Sequence, residues 1–202
     1  MPDTGFVLMT SGTSVTTSPF DGGNTHWTAP GNITADDAAD ADIGTGPFSA
    51  ALSYGLKCLD PNLAVIADAD TIDGFEFRIQ VYASGTSNYQ YRRIVVGGVI
   101  STNTSHDSAA AYPAVATNVD IGGAADMWGR GATTGADVKA AGFGIIFDAS
   151  LSALPSPHSA YCDAVWAKVY YTVAGGLTAA QIWPALSASQ FAMPYIGRET
   201  MS

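Results

Sequence analysis

Charge is what this sequence has least of. Only 13% of its residues are Asp, Glu, Lys or Arg, about half the share of an average globular protein. Lys and Arg together number 8 against 18 Asp and Glu, for a net charge of −10. The basic residues are scattered, with Arg92 and Arg93 the only adjacent pair. Nucleic-acid affinity rests on clustered cations that displace phosphate counterions. Direct nucleic-acid binding is therefore not expected, and the same charge repels an anionic membrane surface.

Other absences narrow the field further. There are 2 cysteines, Cys58 and Cys162, each in an apolar, strand-like context. Buried reduced thiols are the favoured reading, and a disulfide between distant strands stays open. No C-x-x-C or Cys/His cluster marks a zinc site, and no cofactor motif is present. The opening residues "MPDTGFVLMTSGTSV" carry no basic n-region and no long apolar stretch, so no secretory signal is expected. No apolar run approaches the length of about 20 residues that a membrane-spanning helix needs. The expectation is a chain made in a cytoplasm and not exported by a leader of its own.

What remains is 47% hydrophobic residues on a background of Gly, Ser, Thr, Asn and Ala. Such a composition suits an extracellular β-protein, or a subunit that buries much of its surface against partners. The assembling subunit is the favoured reading.

The clearest structural signal is alternation. In "TIDGFEFRIQVYAS", residues 71–84, Phe75, Phe77, Ile79 and Val81 share one face, and Glu76, Arg78, Gln80 and Tyr82 share the other. In "YCDAVWAKVYYTV", residues 161–173, Val165, Ala167, Val169 and Tyr171 oppose Trp166, Lys168, Tyr170 and Thr172. Period-2 patterns of β-branched and aromatic residues predict half-buried strands. Phe75, Phe77, Ile79, Val81, Val165, Val169 and Tyr171 are the predicted core, with Arg78 and Lys168 turned outward. The closing strand is expected to pack opposite the strand of Phe75 and Phe77.

Further strands are expected in 11–47 as short pieces, in "FSAALSYGLKCL", in "NYQYRRIVVGGVIS" and around "FGIIFDA". The turn "SGTSN" predicts a hairpin between 71–84 and 88–101. The alanine-rich stretch 32–46 has no stripe to bury and reads as a solvated loop. No amphipathic helix of about ten residues or more precedes residue 176. Strands at regular spacing without a βαβ rhythm predict an all-β chain, an antiparallel β-sandwich or jelly roll.

Gly175-Gly176 marks a boundary between a sandwich domain, 1–175, and a C-terminal extended arm, 176–202. Pro184 and Pro194 prevent the arm from forming one long helix. Trp183, Leu186, Phe191, Met193, Tyr195 and Ile196 load it with apolar area, and Trp183, Phe191, Met193, Tyr195 and Ile196 are the candidate interface residues.

The residues able to carry chemistry do not assemble into a catalytic pattern. His26, His106 and His158 sit in polar loops. "SHDS", 105–108, sets Ser, His and Asp side by side, whereas a triad converges from separate directions. Asp36, Asp37, Asp40 and Asp42 form one acidic group, and Asp68, Asp70 and Asp73 another. The second group departs from calcium-loop spacing, with Ile79 where the bidentate Glu belongs. Solvated Asx turns explain both. Trp27, Trp128, Tyr89, Tyr91 and Tyr112 are candidates for a sugar-stacking platform, although core packing is the commoner role of such rings. The chain is expected not to be an enzyme.

Several motifs occur in a recognisable order: Trp27 in "THWTAPGNITADDAADAD", then "IDGFEFRIQVYA", "IVVGGVIS", "DMWG", "AAGFGIIFDAS" and "YCDAVWAKVYYT". Over residues 20–173 this resembles a domain of structural proteins in tailed-bacteriophage virions. The resemblance implies a non-catalytic β-sandwich subunit of the capsid-decoration, cement, head-fibre or tail-appendage type. It further implies other virion proteins as partners, location in the virion, and a homo-oligomer with a trimer favoured. A carbohydrate-binding or host-receptor-binding module is the alternative, with a glycan as ligand.

Overall fold

The computed structural model describes residues 1–175; the arm and its interface candidates, in 176–202, lie outside the described residues. In chain order the strands are β1 (Val7–Leu8), β2 (Ser11–Val15), β3 (Ala41–Thr45), β4 (Ala51–Leu52), β5 (Gly55–Leu59), β6 (Thr71–Ala83), β7 (Ser87–Asn88), β8 (Arg92–Val96), β9 (Val99–Ile100), β10 (Thr117–Gly122), β11 (Gly144–Phe147), β12 (Ser150–Leu151) and β13 (His158–Thr172). One short α-helix, α1 (Gly135–Lys139), joins them. Thr134 and Asp137 cap it reciprocally, each side chain bonding the other's backbone N–H.

The fold is an all-β antiparallel sandwich. One sheet runs β1-β13-β6-β10, with β3 also paired to β13, and the other runs β2-β5-β11-β8-β9. A small third sheet, β4-β12-β7, lies at one end. The long strands β6 and β13 pair along almost their whole length, from Ala160 opposite Ala83 to Thr172 opposite Thr71. Period-2 patterning decides their faces. Phe75, Phe77, Ile79, Val81, Val165, Ala167 and Val169 are fully buried and Tyr171 nearly so, while Arg78 and Lys168 lie on the half-exposed side.

These residues meet the second sheet through Phe143, whose ring lies 5.7 Å from Phe75 and 6.0 Å from Phe77. Leu56, Cys58, Ile94, Ile145 and Phe147 complete the same core from that side. Both cysteines are unpaired and buried. Burial raises both thiols, because a thiolate there would lose its water.

Three expectations need correction. The closing strand lies beside the strand of Phe75 and Phe77, not opposite it: Ala167 pairs with Phe77 and Val169 with Phe75. The hairpin between 71–84 and 88–101 does not form. Residue Ala83 ends β6 in the first sheet, and β8 begins in the second, paired with β11. Spacing between two strands reveals a turn but not a change of sheet. The stretch 32–46 is not all loop, since Ala41–Thr45 forms β3 against His158–Cys162. Its short Ala-Asp-Ile-Gly-Thr pattern takes strand form from its neighbour's open edge, a tertiary effect that outweighs local propensity.

Candidate functional site

Several of the histidines and acids singled out in the sequence are held by structural contacts within the described residues. Asp107 of "SHDS" receives two bonds from the Arg93 guanidinium, at 2.7 and 2.5 Å, and one from the Arg92 N–H. His106 turns the other way. Its Nε2 lies 2.9 Å from Asp126 and its ring lies over Trp128. Ser105 uses its N–H on Asn103. The three neighbours therefore diverge, and no nucleophile–base–acid line forms from them. His26 contacts Ser14 Oγ at 3.1 Å, and His158 is buried at the start of β13.

The loop bearing Asp36, Asp37 and Asp40 folds over the outer face of β6 and β13. A register shift after Cys162 inserts Asp163 into β13, where it is only 6% exposed. Burial raises its carboxyl, against hydrogen bonds from the Ala38 and Asp37 N–H groups. Gln80, with its amide nitrogen turned toward the loop, donates to Asp163 at 2.6 Å and to Asp36 at 3.3 Å. Asp40 accepts from the Tyr82 hydroxyl at 2.6 Å, which lifts that phenol to about 12. Asp42 lies in β3 opposite Tyr161.

In the second acidic group the three carboxylates serve separate duties. Asp68 pairs with Lys139, Asp70 accepts from Ala67 and Ala174 N–H groups, and Asp73 accepts from Thr172. Among the described residues no group of three His, Cys, Asp or Glu side chains is arranged to hold a metal ion.

The sugar-platform candidates are corrected by burial. Trp128 is 2% exposed, and Trp27, Tyr89 and Tyr112 are buried as well. The Trp128 backbone sits at φ 52, which turns the side chain inward from its loop. Its indole N–H bonds the Phe75 carbonyl, and its edge meets Phe77 at 5.1 Å. Gly122, at φ 93, leaves room beneath the indole that a Cβ would fill. The Trp27 indole N–H bonds the Tyr54 carbonyl. Tyr89 and Tyr112 stack on each other at 4.2 Å. Of the five, Tyr91 is half-buried, edge-on to Phe20. Large loop aromatics serve the core here, because indole and phenol rings contribute the most apolar area per side chain.

Half-exposed rings occur instead on the outer face of the first sheet. Tyr82 and Tyr161 stack at 4.5 Å with planes 14° apart. Farther along β13 come Trp166, Lys168 and Tyr170, beside Arg78 and Glu76 of β6. Phe6 lies under the Arg78 guanidinium at 3.9 Å. Arg78 forms a two-pronged pair with Asp120, and Tyr170 donates to Glu76 at 2.6 Å. Alternation along β13 is the signal that turns Trp166 and Tyr170 outward, whereas a platform sought among loop aromatics misses them.

A second surface emerges only from the topology. The segments 43–56, 83–91, 108–119 and 149–162 contain no Asp, Glu, Lys or Arg. The C-terminal ends of β3 and β6 and the N-terminal ends of β10 and β13 bring all four to one end of the sandwich. Backbone bonds tie them together: Phe48 N–H to Leu154 O at 2.6 Å, Ser152 to Thr86, Ala83 to Pro113, and Tyr112 to Ser87. This uncharged end exposes Phe48 at 77% and Val115 at 70%. Pro47, Pro155 and Pro157 are exposed with them.

The opposite end carries Asp60, Asp68, Asp70, Asp73, Asp126, Arg130, Asp137 and Lys139. No family model, no curated protein and no solved structure matches this chain.

Proposed function

We propose that the chain is a non-catalytic structural subunit of a tailed-phage particle, a capsid decoration or cement protein or a head or tail appendage. Its work is to bind other virion proteins, as a homo-oligomer with a trimer favoured. It is made in the host cytoplasm and resides in the virion. The resemblance in motif order supplies the phage identity. The observation that best supports an assembling role is the uncharged end with its exposed Phe48 and Val115. Apolar, charge-depleted surface loses little when desolvated and gains from burial. Residues 176–202 add a second contact in this reading, through Trp183, Phe191, Met193, Tyr195 and Ile196.

Electron cryo-microscopy of purified particles, with the chain identified by mass spectrometry, tests the proposal. Copies at fixed symmetric positions are expected. Absence of the chain from particles would overturn it.

A carbohydrate- or receptor-binding module is the second reading. It draws on the outer-face rings Tyr82, Tyr161 and Trp166 rather than on the loops. Stacking of a sugar on such rings is tested by glycan-array binding of the chain and its Trp166→Ala variant. Binding that is lost in the variant favours this reading, and no binding by the parent chain removes it.

A further inference from the structure

We infer that the uncharged end of the sandwich is the surface on which a second copy of this chain docks. The inference rests on the reading of the chain as an assembling subunit and names the partner and the contact. Its first support is electrostatic. Each copy carries a net charge of −10. Contact through the opposite end would bring Asp60, Asp68, Asp73, Asp126 and Asp137 of one copy toward the like charges of another. The four segments 43–56, 83–91, 108–119 and 149–162 bring no carboxylate and no cation to their end, and the exposed Asp21 stands at its margin, where Asn24 and Thr25 bond the Leu52 carbonyl. Where copies converge on a rotation axis through the same end, charged groups on that end approach their own kind in every copy. An uncharged apolar surface is its own complement. A basic partner would gain nothing here and would be drawn to the acidic end instead.

The second support is local. Phe48 stands at φ 55, in the left-handed region that a bulky residue rarely adopts, and its ring is 77% exposed. Gly, Asn or Asp suits that turn better on both counts. The Phe48 N–H bond to the Leu154 carbonyl holds this turn on the 152–157 loop. The ring is thereby presented at a fixed place on the uncharged end. A ring held against backbone preference and against water is explained by a neighbour that covers it.

Sedimentation equilibrium of the full chain at micromolar concentrations tests the inference. The parent chain is expected to self-associate, and more tightly as salt rises, because salt screens the repulsion between copies and there are no contact ion pairs to weaken. Phe48→Asp and Val115→Asp place a carboxylate on each side of the contact, and each is expected to weaken association by about tenfold or more. Phe48→Gly relieves the positive φ, so its melting temperature is unchanged or higher while association still falls. This variant keeps the test decisive if Phe48→Asp folds poorly. Val65→Asp alters an exposed residue of the charged end and is expected to leave association intact.

The inference is overturned by undiminished association of Phe48→Gly, by association that weakens with salt, or by equal weakening from Val65→Asp. Association lost in Trp183→Asp but kept in Phe48→Gly would place the contact in the tail; that overturns the inference and leaves the assembling-subunit reading standing. A parent chain that stays monomeric yet is found in particles has the same consequence, the uncharged end then facing a different subunit.

Discussion

The two ends of the sandwich are built by different means. At the charged end, side-chain carboxylates organise the loops. Asp60 accepts from the Gly142 N–H, Asp70 from Ala67 and Ala174, Asp126 from Trp128, and Asp137 from the cap of α1. At the uncharged end, backbone groups pair with one another from Phe48 to Leu154, Ser152 to Thr86 and Ala83 to Pro113, and the carboxylate that joins them, Asp148, is buried. Both satisfy the backbone polar groups that a folded loop must satisfy. The carboxylate route leaves a hydrated, repulsive surface. The backbone route leaves one that a neighbour can cover without stripping water from charge. Loop architecture thus decides where this acidic molecule carries its exposed charge.

The largest expected effect tests what the ends share. Phe77 lies midway along β6 between the two ends, against Phe143 and Trp128. Phe77→Ala should cost about 3–5 kcal/mol, by lost transfer energy plus a cavity. Urea unfolding read by tryptophan fluorescence and by far-UV dichroism should shift together. Separate transitions would mean that the ends fold independently and that the comparison describes two units.

Next comes the carboxylate beneath the uncharged end. Asp148 is fully buried, accepts the Gln90 and Tyr91 N–H groups, and its carboxyl is pushed up to about 6, chiefly by burial. Its folded value lies above its ordinary 3.8, so the folded state holds the proton more tightly than the unfolded one. The stabilisation is complete below pH of about 4 and is lost as pH rises through about 6. Asp148→Asn keeps an acceptor for both N–H groups without the charge. It should gain up to about 3 kcal/mol over the parent at pH 8, at about 1.4 kcal/mol for each pH unit that separates the folded and unfolded values. The gain should vanish near pH 4 in paired chemical-denaturation curves. A pH-independent difference would show that the charge is not what distinguishes the pair.

A carboxylate of the charged end should behave oppositely. Asp70→Ala removes the acceptor of two loop N–H groups and should cost about 1–3 kcal/mol. Hydrogen exchange at Ala67 and Ala174 should rise, while Phe48 and Ser152 keep their protection. Equal loss of protection at both ends would dissolve the distinction between them.

The smallest effect belongs to neither end. Arg78 and Asp120 pair on the outer face with side chains 31% and 40% exposed. A double-mutant cycle with Arg78→Ala and Asp120→Ala should return a coupling of about 0.2–1 kcal/mol, falling as salt screens it. A coupling well above that would place the outer face, rather than the ends, at the centre of the molecule's electrostatics.

Local pattern was enough to reveal the class of fold and the faces of its two longest strands. A strand buries every second residue, so the phenylalanines of 71–84 and the valines of 161–173 were legible without a neighbour in view. The same alternation put Trp166 and Tyr170 on the outer side. Which strands share a sheet was not legible, because hydrogen-bonded pairing depends on partners far along the chain that no local pattern encodes. The same holds for β3, whose strand form is imposed by the edge of β13. It holds for Trp128, a loop residue returned to the core by a backbone turn at φ 52. The uncharged end is the fullest case. Each of its four segments is plainly uncharged in the sequence, but the segments are separated by as much as a hundred residues or so. A surface is a property of what lies adjacent in space, and antiparallel pairing of β3, β6, β10 and β13 is what makes those four segments adjacent.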